Sequence, residues 1–192
     1  MVIKLTILEF MKIVGQAKRI PRTGWVKSGI SPAESVADHM YRSAVLCMIL
    51  GDLKGLDSDK MIRMALLDDL AETITGDLTP DEQMTLGDSR VREDNEAAIR
   101  KILGKLPTSL SDKYLKIWVE SQEHRSSESI LARELEKLEM IIQALEYEEQ
   151  ASGSKSLDEF WLNIRSQIKD PDIVKLLDSL EGERKRARSG MP

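Results

Sequence analysis

Apolar residues recur every three to four positions along nearly the whole chain, and β-branched residues do not alternate with polar ones. This is the period of a helix with one buried face, whereas a half-buried strand has a period of two. Aromatic residues, which favour strands, account for only 4% of the sequence. The sequence therefore predicts an all-α fold, a single compact helical bundle.

Glycine, proline and capping residues divide this pattern into separate helices. The predicted helices span roughly residues 5–14, 34–50, 59–71, 88–103, 109–122, 127–149 and 157–168, and a last one begins at Pro171. Gly51 and Gly55 are expected to end the second helix. Loops are expected at residues 21–32 and around Gly76 and Pro80.

The length of the chain sets the number of domains. A chain of 192 residues is enough for one domain with a real core and too short for two large ones. We place this domain at residues 1–182. The basic run that follows is expected to begin a flexible C-terminal tail of residues 183–192.

Charge, cysteine content and hydropathy exclude several classes of protein. The 33 Asp and Glu residues outnumber the 28 Lys and Arg residues, so a nucleic-acid partner is not expected. Cys47 is the only cysteine and lies in an apolar run, which predicts a buried thiol and rules out an intrachain disulfide. No apolar stretch reaches the roughly 18 residues that span a bilayer, and the N-terminus lacks the layout of a signal peptide. We therefore expect a cytoplasmic protein with no membrane partner.

The scarcest polar residue types indicate where chemistry could occur. The chain has two histidines, and one of them, His39, lies in the middle of a predicted helix. On the next predicted helix, Asp68, Asp69 and Glu72 interrupt an apolar run and can converge on one patch, because residues three and four apart are neighbours on a helix. Carboxylates this close repel one another, and a divalent cation would compensate them. By spacing alone, a metal site and a solvated acidic helix end remain about equally good interpretations.

Four segments of the chain resemble successive motifs of the HD-domain 5'-deoxynucleotidases. They are residues 16–25 (QAKRIPRTGW), 34–42 (ESVADHMYR), 65–77 (ALLDDLAETITGD) and 135–148 (LEKLEMIIQALEYE). The resemblance is collinear from near Leu5 to about Leu180. It implies an all-α HD domain with one divalent metal ion that removes the 5'-phosphate from deoxyribonucleoside 5'-monophosphates, and it implies a homodimer.

The resemblance also implies four metal ligands. His39 and Asp69 match two ligand positions of the family. Asp68 stands where the family has the histidine of its His-Asp pair, and Glu136 where it has a later aspartate. Because carboxylates favour harder metals than imidazole does, we expect Mn, Mg or Co. Aspartate is shorter than histidine and glutamate longer than aspartate, so we hypothesise that the two changes compensate in reach.

Further residues acquire roles from the same resemblance. Glu72 matches a residue beside the attacking water and is expected to act as general acid or base. Asp77 is expected to protonate the leaving 5'-oxygen or to hold the sugar, the alternative being a loop cap. Trp25 is expected to pack against the deoxyribose, the alternative being a hydrophobic plug. The cations expected to bind phosphate are Arg22 first, then Arg19 and Arg42.

Two residues near this set have less specific interpretations. His124 is expected to be a surface residue between two helices, and its replacing the missing imidazole is the less favoured alternative. Glu139 is a candidate partner of a ligand or an alternative ligand. Two other functions stay open: a catalytically weakened HD-domain protein that binds nucleotides as a sensor or scaffold, and a purely structural dimer.

Overall fold

The computed structural model describes residues 2–151 and 156–189, with side chains from Thr6 onward. Within these ranges the chain is helical and contains no strand beyond an isolated bridge between Pro21 and Ser35. The all-α prediction is confirmed. The α-helices are α1 (Val2–Val14), α2 (Thr23–Lys27), α3 (Val36–Lys54), α4 (Ser58–Asp68), α5 (Glu72–Thr75), α6 (Pro80–Leu86), α7 (Asp88–Leu103), α8 (Thr108–Glu123), α9 (Ser127–Gln150), α10 (Asp158–Arg165) and α11 (Pro171–Ser189), with 3₁₀ turns at Ala17–Arg19 and Asp69–Ala71.

Helices α3 and α4 lie at the centre of the fold. They pack against each other and both contact α9. One apolar cluster joins them to α9, α10 and α11, and a second joins them to α7 and α8. Cys47 of α3 is fully buried in the first cluster, as predicted. Burial raises the pKa of its thiol to about 12, so it stays protonated.

The second predicted helix continues past the glycine that was expected to end it. α3 runs through Gly51 to Lys54 and ends at Gly55, whose φ of 67° is left-handed. Gly51 is needed for packing instead: a Cβ atom at this position would lie 2.9 Å from Cβ of Ser58 on α4. The glycine therefore lets α3 and α4 approach closely where the chain turns between them.

Three segments differ from the predicted helix boundaries. The expected loop 21–32 contains the short helix α2, and α6 begins at Pro80, where the sequence indicated only a loop. Thr79 and Glu82 form a capping box around that proline, which is compatible with the first helical turn. The third predicted helix ends at Asp68 and is followed by a 3₁₀ turn at Asp69–Ala71.

The basic run near the C-terminus is part of a docked helix and not a flexible tail, since α11 continues to Ser189. Arg184 donates to both carboxylate oxygens of Glu148 at 2.7 Å, and its guanidinium lies 4.5 Å from the centre of the Trp161 ring. One turn later, Arg188 lies 3.2 Å from the same carboxylate. The remaining predicted tail residues, 190–192, fall outside the described ranges. No described helix combines the length and apolar character that a membrane span requires.

Candidate active site

A small cavity lies between α3, α4, α8 and α9. Its volume is about 20 Å³, which is room for about one water molecule or one ion. The structure brings all four positions predicted as metal ligands to its wall, together with two residues from the end of α8. These six residues are His39, Asp68, Asp69, Ser121, His124 and Glu136.

His39 lies in the first turn of α3, and its imidazole is buried. Nδ1 is hydrogen-bonded to Oε2 of Glu139. Nε2 is buried without a hydrogen-bond partner and lies 3.7 Å from Oδ2 of Asp69 and 4.0 Å from Oε1 of Glu136. Burial and the charge of Arg22 act to lower the pKa of His39, but the neighbouring carboxylates outweigh them and the pKa is raised. Nε2 therefore faces negative charge that favours either a proton or a metal ion at this point.

Glu139 fixes the opposite side of the His39 ring. Its carboxylate is fully buried, and its second oxygen accepts from Nε of Arg42 at 2.8 Å. The guanidinium of Arg42 also binds Gln143 at 2.6 Å and Glu146 at 2.8 Å on α9. The prediction that Arg42 binds phosphate is therefore corrected, because its donors hold Glu139 and α9 in place.

Glu34, His39 and Glu139 also form a set whose possible ligand atoms all lie within 4.8 Å of one another. Glu34 accepts from Nε1 of Trp25 at 2.7 Å, and burial together with the charge of Glu139 raises the pKa of Glu34 to about 7. His39 Nδ1 and both Glu139 oxygens are likewise hydrogen-bonded. Because these donors and acceptors already have protein partners, this set orients the imidazole and leaves Nε2 to the cavity.

Asp68 ends α4 and faces α8. Its Oδ1 accepts from Nε2 of Gln122 at 2.7 Å and from Oγ of Ser121 at 3.4 Å. Burial and the charges of Asp69 and Glu136 raise the pKa of Asp68 to about 8. This carboxylate has neutral donors on one side and negative neighbours on the other, and a cation in the cavity would relieve the repulsion.

Glu136, on α9, has a cationic neighbour. Nζ of Lys137 lies 3.2 Å from its Oε1. Burial acts to raise the pKa of Glu136, but the charges of Lys137 and His39 outweigh burial and lower it to about 2. Glu136 is therefore ionised at neutral pH.

Arg22 lies among three carboxylates, one of which is that of Asp69. Its Nη1 is 3.2 Å from Oδ2 of Asp69, 3.0 Å from Oδ1 of Asp77 and 3.9 Å from Oε2 of Glu72. Burial acts to lower the pKa of Arg22, but these carboxylates outweigh it and raise the pKa. Arg22 therefore neutralises part of the negative charge, and Asp69 connects it to His39.

Glu72 and Asp77 flank this arginine and differ in their partners. Asp77 follows Gly76, whose positive φ of 83° favours glycine, and it accepts from the backbone N–H of Thr23. Oε2 of Glu72 is buried without a hydrogen-bond partner, and burial together with nearby carboxylates raises the pKa of Glu72 to about 11. Asp77 thus ties α2 to the site, and Glu72 holds a proton beside it.

The remaining predicted substrate contacts lie outside the cavity wall. Trp25 is only 2% exposed, with the ring of Phe160 stacked 4.2 Å away and that of Tyr147 at 5.4 Å. Because an enclosed indole cannot form a wall for deoxyribose, that prediction is corrected in favour of a hydrophobic plug. Arg19 is exposed in the 3₁₀ turn that contacts α3.

His124 is half-buried between α8 and α9, so it is only partly the surface residue that the sequence predicts. His124 lines the cavity, and its Nδ1 is buried without a hydrogen-bond partner. The same residue also borders an open groove on the protein surface, which Arg133 and Lys137 line as well.

Three polar residues that contact the predicted ligands were not themselves predicted: Ser121 and Gln122 beside Asp68, and Lys137 beside Glu136. Ser121 and Gln122 reach Asp68 across more than 50 positions of the chain, a separation that helical periodicity cannot detect. The polar sequence Ser121–Gln122–Glu123–His124, placed at a helix end beside a scarce histidine, was the available signal.

Comparison with known families agrees with this geometry. The sequence profile described as "HD domain" matches residues 14–179. The chain belongs to the HD domain family. The family resemblance noted from the sequence is thereby confirmed.

Curated HD-domain relatives cover nearly the same length of chain. The human protein named 5'-deoxynucleotidase HDDC2 is 38% identical over 179 residues, which are 93% of this chain and 86% of the relative. The Saccharomyces cerevisiae protein named 5'-deoxynucleotidase YGK1 is 35% identical over 179 residues, 92% of this chain and 82% of the relative. Among solved structures, that of a Pyrococcus horikoshii protein superposes with a TM-score of 0.75 at 31% identity, covering 94% of this chain and 99% of that chain.

An HD domain implies a divalent metal ion, and the cavity residues fit one. The decisive observation is Nε2 of His39, a buried imidazole nitrogen that has no hydrogen-bond partner. It lies near one oxygen of Asp69 and one of Glu136, so this nitrogen and these oxygens are available as metal ligands. Glu139 supplies the hydrogen bond that commonly orients a metal-binding histidine through its other nitrogen.

Proposed function

We propose that this protein is a metal-dependent phosphohydrolase that removes the 5'-phosphate from deoxyribonucleoside 5'-monophosphates. The observation that carries the proposal is the buried, unpartnered Nε2 of His39, which faces Asp69 and Glu136. The names of the curated relatives supply the substrate class and the preference for deoxyribose. The proposed ligands of the metal are His39, Asp68, Asp69 and Glu136.

The chemistry divides between the metal and the side chains around it. When bound, a divalent cation supplies stabilisation of charge on the phosphoryl oxygens and makes water a better nucleophile. Glu72 is proposed to move a proton at Oε2, because this atom is buried, unpartnered and within 3.9 Å of Arg22. The raised pKa keeps a proton on Glu72 at neutral pH, so Glu72 is proposed to act first as the general acid.

Arg22 is proposed to bind the phosphate. Its contacts with Asp69, Asp77 and Glu72 all use Nη1, so Nε and Nη2 provide the donors for an anion. Asp77 is proposed chiefly to position Arg22 and α2, with protonation of the leaving 5'-oxygen as its second role. Arg19, in the 3₁₀ turn that contacts α3, is proposed as an additional phosphate-binding cation.

We also propose that the protein is a cytoplasmic homodimer that uses the outer face of α3. This face carries apolar side chains at helical spacing: Tyr41 is 69% exposed, Met48 43%, Ile49 46% and Leu53 77%. Large apolar side chains exposed on the outer side of one helix are candidates for an interface. A location in a reducing compartment agrees with the single cysteine, which is buried.

The test is phosphate release from metal-stripped protein given deoxy- and ribonucleoside monophosphates with Mg²⁺, Mn²⁺ or Co²⁺. The proposal expects release that requires metal, favours deoxynucleotides and disappears in His39→Asn. Asp68→His serves as the matched comparison, because it installs the residue that the family has at this position. Activity only in Asp68→His, with nucleotide binding by the unmodified protein, would instead favour a nucleotide sensor or scaffold.

A further inference from the structure

The end of α8 brings a second histidine to the metal cavity. His124 has φ 50° and ψ 44°, and it is the one non-glycine residue with positive φ in the described part of the chain. Histidine tolerates this conformation better than most residues, but backbone in sparsely populated regions persists where the surroundings determine it and is common at functional sites. Nδ1 of this imidazole is buried and has no hydrogen-bond partner.

His124 lies between the metal cavity and an open groove on the protein surface. It shares the wall of one cavity with His39, Asp68 and Glu136. Burial and the charges of Arg133 and Lys137 lower the pKa of His124, and the charge of Glu136 acts in the opposite direction. The preceding turn of α8 already serves the same site, because Gln122 binds Asp68 at 2.7 Å.

The four proposed metal ligands include only one imidazole, so a second histidine would bring the site closer to the family's ligand composition. Of the four family ligand positions, only His39 is a histidine in this chain, and Oδ1 of Asp68 is occupied by Gln122 and Ser121. Buried polar atoms without partners are rare in folded proteins, and one that faces a cavity is an available ligand. A neutral imidazole is also the commonest protein ligand of transition metals.

We propose that His124 is a ligand of the divalent metal ion and supplies, from the end of α8, the imidazole that position 68 lacks. This inference rests on the proposed function in one respect: the ion that His124 binds is the metal ion of the proposed phosphohydrolase. It predicts a site with two nitrogen donors, which favours Mn²⁺ or Co²⁺ over Mg²⁺.

The test measures Co²⁺ binding by metal-stripped protein, using visible absorption and competition with a chelator. His124→Asn removes the ligand but keeps a residue that tolerates left-handed backbone. We expect it to weaken Co²⁺ binding at least tenfold and to shift the absorption bands. The matched control is Glu123→Gln at the neighbouring exposed position, which should bind Co²⁺ within twofold of the unmodified protein. Adding Asp68→His to His124→Asn should return the affinity to within threefold.

Three results would overturn the proposal. One is an unchanged Co²⁺ affinity and spectrum in His124→Asn, another is no Co²⁺ binding by the unmodified protein, and the third is failure of Asp68→His to restore binding. Far-UV circular dichroism without metal checks that the variants are folded, and His124→Gly replaces the asparagine variant if the latter is not. Unmodified protein that binds Co²⁺ through His124 but releases no phosphate would refute the proposed activity and leave this inference standing.

Discussion

Replacement of Glu139 by glutamine tests how the His39 ring is held. The carboxylate accepts two hydrogen bonds at once, one from Nδ1 of His39 and one from Nε of Arg42. The two bonds use different oxygens of the carboxylate, Oε2 and Oε1, and an amide has an N–H donor group in place of one of them. In Glu139→Gln, either Arg42 faces an N–H donor or the imidazole loses the bond that keeps its hydrogen on Nδ1. The second arrangement moves the hydrogen to Nε2 and blocks that nitrogen as a ligand.

The magnitude follows from the burial of this contact. Glu139 is 0% exposed and His39 1%, so water cannot replace the lost partner. A hydrogen bond to a charged group contributes about 1.5–3 kcal/mol, and we expect the free energy of unfolding to fall by about 2 kcal/mol. Loss of the residue that orients a metal-binding histidine typically weakens metal affinity by about 10- to 100-fold, and we expect a change in that range for Co²⁺.

The assay combines urea unfolding of metal-stripped protein with Co²⁺ titration. Glu146→Gln is the matched control, because Glu146 also binds Arg42 but its side chain is 43% exposed. Exposed pairs contribute about 0–1 kcal/mol, so this control should change stability little and leave Co²⁺ affinity unchanged. Equal effects of the two substitutions on Co²⁺ affinity would refute the argument that Glu139 acts through the tautomer of His39.

Other contacts give predictions of their own. Glu72→Gln should lower phosphate release by about 100-fold or more while Co²⁺ affinity stays within threefold, because Glu72 is proposed to transfer a proton and not to bind the metal. Equal losses in the phosphate-release and Co²⁺-titration assays would contradict this role. Arg184→Met should lower the free energy of unfolding at pH 7 by about 2 kcal/mol, because the buried Glu148 loses a bidentate partner. Burial acts to raise the pKa of Glu148, but the contact with Arg184 outweighs it and lowers this pKa in the folded protein. The stabilisation from the Arg184–Glu148 contact is therefore present above the unfolded pKa of about 4.3 and is lost as the pH falls below that value. Urea unfolding should therefore show a smaller effect of Arg184→Met at pH 3. Leu53→Lys should convert the proposed dimer to a monomer in light scattering, whereas Leu162→Lys, at a similarly exposed leucine on α10, should not; a protein that is monomeric before substitution would refute the proposed dimer.

The fold was predictable because helical periodicity is a local property of the sequence. The predicted span 88–103 coincides with α7, and 127–149 differs from α9 by one residue. Errors occurred where the reason for a residue is non-local. Gly51 resembles a helix terminator in the sequence, but its role is set by the approach of Ser58. The basic run after residue 182 resembles a solvated tail in the sequence, but in the fold Arg184 binds the distant carboxylate of Glu148.

The candidate site was predictable only in part for the same reason. Family motifs located His39, Asp68, Asp69 and Glu136, and these residues do line one cavity. Motifs do not specify which atoms are already hydrogen-bonded. The sequence therefore could not show that the donors of Arg42 are used by α9, or that an imidazole nitrogen of the α8 end is left without a partner.

The charge balance of the site predicts how the protein behaves without metal. The carboxylates of the cavity each have a separate partner: Asp68 has Gln122, Asp69 has Arg22, and Glu136 has Lys137. Metal is therefore not needed to hold these side chains together, unlike in small domains whose core is the metal site. We expect metal-stripped protein to keep its helical circular dichroism signal, and Co²⁺ at 100 times its Kd to add about 2.7 kcal/mol to the free energy of unfolding. Unfolding on chelation alone would contradict this balance, and absence of any stabilisation by Co²⁺ would argue against a site formed in the native state.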